Sequence, residues 1–284
     1  MEFYREALFN PHWGEQIAFG PGGVLAISML FEGLDQQQAE AVWRPFFDWV
    51  AAAPQDFTIV SAPKVLAGAA RHFWDPSALR QVPDLVIADD REGAPAVNIF
   101  WASNLGEAGR VWYAYQSAWL PASLLEADRR ESLVDALVAA AKHRGVALHC
   151  NKGLAGATAE AIAAAKDTPM NPAVVDAFAL AISGAGGPPA YPGVAGHEPD
   201  AAAAGIQAAA VEATMSEVRK LLPRVGSYVW ETDCFQPDWQ DAFWGDNYPR
   251  LRAIKDKYDP AGLFFVYHGV GSEGWSVDGF TRAG

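Results

Sequence analysis

Among side chains able to do chemistry, the sequence offers six histidines: His12, His72, His143, His149, His197 and His268. None pairs with another at metal-ligand spacing, so any metal site would have to be assembled from long-range contacts, and no metal ligands are assigned. Hydrogen-bonded or surface imidazoles are the plainer reading. Gly269, Gly271 and Gly274 spell GxGxxG behind a strand-like run. A dinucleotide-binding turn also needs a helix behind it and a further strand carrying an acid for the ribose, and residues 275–284 are too few to supply them. No GxSxG elbow, P-loop or HExxH helix occurs, and a hydrolase pairing Glu15 or Glu231 with a histidine finds no support in the spacing. The 11 Trp, 8 Tyr and 15 Phe are a heavier signal. Flat rings with a polar handle suit the walls of a pocket for planar or sugar-like ligands, although most aromatic residues fill cores.

The elements that would position such groups alternate along the chain without a long linker or internal repeat. Val24–Phe31 is an apolar run of strand length, and Asp35 caps a helix containing Ala39, Val42, Trp43, Phe46 and Phe47, in which Pro45 should kink or restart the helix. Strands are expected at Phe57–Val60, Val97–Trp101, Val111–Tyr115, Val146–Cys150 and Val174–Ile182. Helices are expected at Leu124–Arg144, with Leu133, Leu137 and Ala140 on one face, at Thr158–Lys166, and at Asp200–Leu222, with Val211, Met215, Val218 and Leu222 as its buried stripe. Residues 184–199, rich in glycine and proline, read as a long irregular loop. After them come a strand Val225–Glu231, a loop, a helix begun by Pro249 with Leu251, Ile254 and Tyr258 inward, a turn at Asp259–Gly262, and a strand Leu263–Tyr267.

Length and composition bound the answer. The 284 residues are about two average domains, or one large α+β domain. With 51% hydrophobic and 19% charged residues the chain has enough apolar surface to fold. A net charge of −13 argues against a nucleic-acid partner. Cys150 and Cys234 are too few for a disulfide framework and read as core thiols. The first residues lack a signal peptide and no stretch reaches membrane-span length, so the chain reads as soluble, with no membrane partner; its localisation stays open.

The most specific stretch runs from Gly226 to Trp275. Ser227-Tyr228-Val229, Trp244-Gly245-Asp246-Asn247-Tyr248-Pro249-Arg250-Leu251, Lys255, Lys257-Tyr258-Asp259-Pro260 and Gly262-Leu263-Phe264-Phe265 stand in register with the C-terminal signature of the berberine-bridge-enzyme-like branch of FAD-linked oxidoreductases, of vanillyl-alcohol-oxidase type. The chain resembles that family. Asn10–Gln16, Leu148–Gly156 and Ala190–Gly193 look like substrate-domain segments of a bacterial subgroup, so the resemblance extends over the whole chain. It implies an α+β fold, an antiparallel β-sheet flanked by helices, with a substrate-binding domain at 1–222 and a berberine-like segment at 223–284 packed on the same body. The family's N-terminal FAD-binding domain is absent from the sequence. The chain therefore looks like a truncated product, a subunit of a split enzyme, or a fragment whose Met1 is internal.

Such enzymes oxidise an alcohol, hemiacetal or amine carbon by hydride transfer to flavin while a base takes a proton. What the resemblance implies is half of such an enzyme, holding FAD only together with an FAD-binding domain or partner chain, and taking a small organic or sugar-like molecule. The alternative is a binding or scaffold module that keeps the fold without flavin. By motif position Tyr228 is the base or an orienting phenol, with Lys152 a candidate cation beside it; the competing reading is a core tyrosine. Asn247, Tyr248 and His268 would contact the cofactor, the first two otherwise forming an ordinary helix cap. Trp13, Glu15, His149, Lys152, Tyr191 and Trp230 would line the substrate pocket. Arg250, Arg252, Lys255 and Lys257 read as a solvated helix face, one of them free to tie to the absent domain. Two departures matter. Trp230 and Glu231 replace the family's Asn and Tyr after Tyr228, and the strand before the proline-rich loop lacks the glutamate some relatives use as base. Period-2 alternation further separates Tyr228 and Trp230 from Val229 and Glu231, so Tyr228 and Glu231 can share a face only if the strand breaks.

Overall fold

In the computed structural model, residues 1–222, 224, 226–231 and 233–283 are described. In chain order the regular elements are β1 (Trp13–Gly20), β2 (Val24–Phe31), α1 (Gln36–Ala51), α2 (Pro76–Leu79), β3 (Val86–Ala88), β4 (Ile99–Trp101), β5 (Arg110–Pro121), α3 (Ala127–His143), β6 (Val146–His149), α4 (Ala159–Ala165), β7 (Ala177–Pro189), α5 (Ala201–Arg219), α6 (Trp239–Trp244) and α7 (Tyr248–Tyr258), with short 3₁₀ turns between several of them. They fall into two compact units: Met1–Glu32, Trp112–Ala185 and Ala202 onward form the first, Gly33–Val111 and Gly186–Ala201 the second.

The first unit is an α+β layer structure built on a five-stranded sheet of order β2-β1-β6-β7-β5, in which β1 pairs antiparallel with β2 and β6, and β6 with β7. Its strands alternate faces as period 2 demands. On one face Ile17, Val146 and Leu148 are buried, and α3 packs against β1 and β6 through a stripe containing Leu133, Leu137 and Ala140. In α5 Val211, Met215 and Val218 are buried and Thr214 Oγ1 donates to Ala140 O of α3. The other face carries Gln16, His149, Leu180, Ile182, Tyr115 and Ser117. Register places Ser28, Gln16, His149 and Leu180 in one row across four strands.

The second unit holds α1, α2 and the antiparallel hairpin β3–β4. Asp35 accepts from Gln38 N and Gln38 returns a side-chain bond to Asp35 N, a capping box that fixes where α1 begins. The helix continues through Pro45 without restarting, and its aromatic side packs Trp43 against Phe47 at 5.7 Å.

Several expectations are corrected. Phe57–Val60 forms no strand and has no ladder partner among the described residues, leaving Ile59 and Val60 exposed. Residues 184–189 are strand, the continuation of β7, and at Gly184 the missing side chain leaves room for a close neighbour: a Cβ there would lie 2.7 Å from the Tyr115 ring. Of the expected strand 225–231, Val225 lies outside the described residues, and 226–231 is irregular with a turn at its end. Leu263–Tyr267 is likewise irregular. The loop before Pro249 contains α6, and Leu251, Ile254 and Tyr258 of α7 are not buried, Tyr258 being 74% exposed. Leu222 falls beyond the end of α5, and Cys234 is exposed while Cys150 is buried. The strand β1 has no counterpart in the sequence reading.

Candidate functional site

In the first unit Lys152 stands just beyond the end of β6. Its 3₁₀ turn, Cys150–Lys152, follows directly from the end of β6 and brings the ammonium 4.5 Å from the centre of the Tyr228 ring and 2.7 Å from Glu231 Oε2. Both contacts exist because residues 228–231 turn instead of extending: Glu231 N–H donates to Tyr228 O at 3.3 Å, which cancels the alternation that would have set the two side chains on opposite faces. The turn is held to the edge of β5. Trp119 N–H donates to Gly226 O at 3.1 Å, Tyr228 N–H to Ser117 Oγ at 2.9 Å, and Ser117 Oγ shares a 2.8 Å hydrogen bond with Ser227 Oγ. Side-chain partners thus replace the ladder a regular strand would make.

Tyr228 stands partly buried, edge-on to Trp119 at 6.1 Å and packed on Leu180, Ile182 and Val174. The Tyr115 phenol also bonds Glu231, and burial, followed by the Glu231 charge, pushes its pKa above the usual phenol value. Four groups therefore meet: two phenols, a carboxylate and an ammonium. Tyr115 and Glu231 were not placed in the site by sequence reasoning. Glu231 had been set aside on strand alternation, and nothing in the run around Tyr115 distinguishes it from core.

A second group adjoins this one along the row. His149 Nδ1 lies 3.2 Å from Glu15 Oε1 and His149 Nε2 lies 3.2 Å from Gln16 Nε2, while Asn151 Nδ2 donates to Glu15 Oε2 at 3.5 Å. Glu15 has φ +74°, in the left-handed region that a side chain disfavours. Trp13 is buried with its ring 5.1 Å from Phe31, a core contact. Trp230 is 81% exposed at the turn. Tyr191 belongs to the second unit, where its N–H donates to His197 O at 2.7 Å.

The residues expected near a cofactor lie toward the C-terminus. Asn247 makes no side-chain cap; its amide donates to Thr168 O at 3.2 Å and Met170 O at 2.6 Å. Tyr248 donates to Glu273 Oε2 at 2.6 Å and accepts from Gly271 N–H, and burial together with Glu273 moves its pKa up to about 12. Arg250 pairs with Asp167, Arg252 with Asp256 and Glu273, and Lys255 with Asp259, so these cations bond acids of this chain. His268, at φ +58°, is stacked between Trp239 at 5.3 Å and Tyr267 at 4.0 Å beside a cavity of about 220 Å³. Burial holds its pKa below the usual imidazole value against the pull of Asp233, and its buried Nδ1 has no hydrogen-bond partner among the described residues. Asp233 follows Glu231 by two residues and accepts from Gln116 at 3.0 Å, so the two regions share one connecting loop.

Among the described residues no helix is long and apolar enough to cross a membrane. Residues 227–271 match the family described as berberine and berberine like. FAD-linked oxidoreductase ZEB1 of Gibberella zeae is 52% identical over 63 residues, 22% of this chain and 11% of that protein. In fold, the chain resembles the crystal structure of the VAO-type flavoprotein MtVAO615 from Myceliophthora thermophila, with a TM-score of 0.58 at 22% identity over 99% of this chain and 47% of that one. It also resembles BBE-like 1 of Physcomitrella patens, with a TM-score of 0.59 at 13% identity over 95% of this chain and 49% of that one. The chain thus spans about half the length of the solved structures it resembles. Residues 227–271 thus carry a berberine-like segment, and the sheet and helices of the chain have the fold of the VAO-type flavoproteins it resembles.

Proposed function

We propose that this chain provides the substrate-binding portion and the proton-handling groups of an FAD-dependent oxidoreductase acting on a small organic or sugar-like alcohol or amine. It would work with an FAD-binding portion on the same or a second polypeptide. The observation that carries the reading is Lys152, poised over the Tyr228 ring and bonded to Glu231.

The residues present fit a flavin. The stacked Trp239, His268 and Tyr267 offer planar surface beside the cavity, and the unpartnered His268 Nδ1 is a buried polar atom in want of a complement. Tyr228, Lys152 and His268 are the groups that would face it. FAD, when bound, supplies the two-electron acceptor for a hydride. Tyr228 takes the proton released from the substrate hydroxyl or amine. Lys152 places its ammonium over the Tyr228 ring, and Glu231, itself bonded by Tyr115, holds it there. His149 and Gln16, next along the row, offer polar atoms to the rest of the substrate.

Tyr228→Phe keeps the ring beneath Lys152 and removes only the hydroxyl. In protein reconstituted with its FAD-binding portion, the rate at which substrate bleaches the flavin absorbance should fall by about 10²- to 10⁴-fold. An unchanged rate would remove Tyr228 as the base, and a wild-type protein that binds flavin yet never bleaches with alcohols or amines would favour a scaffold role.

A further inference from the structure

Glu15 sits in an unusual conformation for a purpose that the proton-handling groups do not themselves explain. It lies just beyond the β1–β6 ladder, whose last pair is Gln16 with His149, and its φ of +74° is one that glycine adopts freely and glutamate does not. What this conformation achieves is a bridge. The two carboxylate oxygens reach His149 Nδ1 and Asn151 Nδ2, the residues on either side of Cys150. That is the 3₁₀ turn whose last residue is Lys152.

The same turn is gripped from other directions. The buried Cys150 thiol is bonded to the Tyr4 phenol, and burial, with the Glu15 charge adding to it, raises the thiol pKa to about 11. A Cβ on Gly14 would fall 2.8 Å from Asn151 Cβ, which shows how tightly β1 presses on the turn, and one on Gly153 would run into the Ala177 carbonyl. The backbone around Lys152 is thus fixed by close packing at Gly14 and Gly153 and by one charged clamp. The clamp carries a conformational cost, as His268 does at φ +58°, and a cost retained beside a candidate site points to a role there.

We infer that Glu15 is a positioning residue: through His149 and Asn151 it fixes the turn that aims the Lys152 ammonium at Tyr228 and Glu231. The inference rests on the reading of Lys152 and Tyr228 given above, yet its structural half can be tested on the chain alone. Glu15→Gly removes the carboxylate and relieves the backbone at once, so the fold should keep its thermal midpoint while the turn loosens.

Brief acetylation followed by peptide mass spectrometry should show Lys152 modified several-fold faster in Glu15→Gly than in wild type, with Lys142 and Lys220 unchanged. Glu15→Gln, which keeps the shape and part of the hydrogen bonding, should give a smaller change in the same direction. It is the variant to read if Glu15→Gly fails to fold. Unchanged Lys152 labelling in a folded variant overturns the inference. In flavin-loaded protein, Lys152→Met and Glu15→Gly should both slow flavin bleaching, the latter on the order of 10- to 100-fold, as expected when a catalytic group is displaced by about 1 Å. If Lys152→Met bleaches at the wild-type rate, the functional reading fails whatever the labelling shows. If Lys152→Met is slow and Glu15→Gly is not, the positioning role fails and the functional reading stands.

Discussion

Lys152 illustrates how one side chain joins groups that the sequence separates by nearly eighty positions, since its partners Tyr228 and Glu231 come from a different segment. Tyr228, Lys152 and His149 were visible as candidates from the motifs in which they stand. Tyr115 and Glu231 were not, because their recruitment depends on a turn at 228–231 that no local propensity announces. Asn247 shows the opposite outcome: its position before a helix suggested a cap or a ligand contact, but its amide is drawn to the carbonyls of 168 and 170. Glu273 gives a prediction at this scale. Burial works to raise its pKa, and hydrogen bonds from Tyr248, the backbone and Arg252, with the charge of Arg252, outweigh that and hold it below the usual carboxylate value. A depressed folded-state pKa contributes stability that is fully present above the unfolded value and is lost as pH falls through the folded one. Urea titrations of wild type and Glu273→Gln should therefore differ at neutral pH and converge under acid conditions below the carboxylate range; a gap that persists into acid would contradict the assignment.

Elements with strong local signals were legible. The β2 run between glycines, Asp35 as the cap of α1, the helix beginning near Thr158, the buried stripe of α3 and, apart from Leu222, that of α5 follow from residue spacing. Elements defined by their neighbours were not. In β7 Gly184, which suggested a loop, allows close contact with Tyr115 of β5, and at 226–231 side chains of β5 take bonds that a ladder would otherwise have made. For α1, the reciprocal Asp35–Gln38 bonds satisfy two backbone donors that would otherwise be orphaned. Asp35→Ala should destabilise the second unit by about 1 kcal/mol, read from chemical denaturation followed by the α1 tryptophans. A midpoint indistinguishable from wild type would show that the box contributes nothing net.

At the scale of the whole molecule, the family resemblance, the matched segment and the two structural likenesses agree on a chain spanning about half of the flavoproteins it resembles. Much apolar surface stands open: Leu263, Phe264, Val266, Val277 and Phe280 in the C-terminal segment are each more than 70% exposed. Patches of this kind on soluble proteins mark contact surfaces, in keeping with a second portion of protein around the site. That surface was not legible in advance, because a run such as Leu-Phe-Phe-Val reads as buried strand until its partners are counted.

The two ends of the sheet are treated differently. Beyond β5, residues 226–231 and Asp233 act as a fence, taking the Trp119 N–H and bonding Gln116. At β2 the run VLAISMLF carries neither charge nor proline, and Val24, Leu25, Ile27 and Leu30 are exposed. Such a border invites a neighbouring chain. With β2 the one open border of the five-stranded sheet among the described residues, edge-to-edge growth of that sheet has nowhere to continue after the first docking, so it ends in pairs rather than fibrils. Small-angle scattering over a concentration series should resolve monomer and dimer only, and Ile27→Lys, which plants a charge on the bare border, should leave the monomer. Elongated species growing with concentration would mean that the fence at β5 opens.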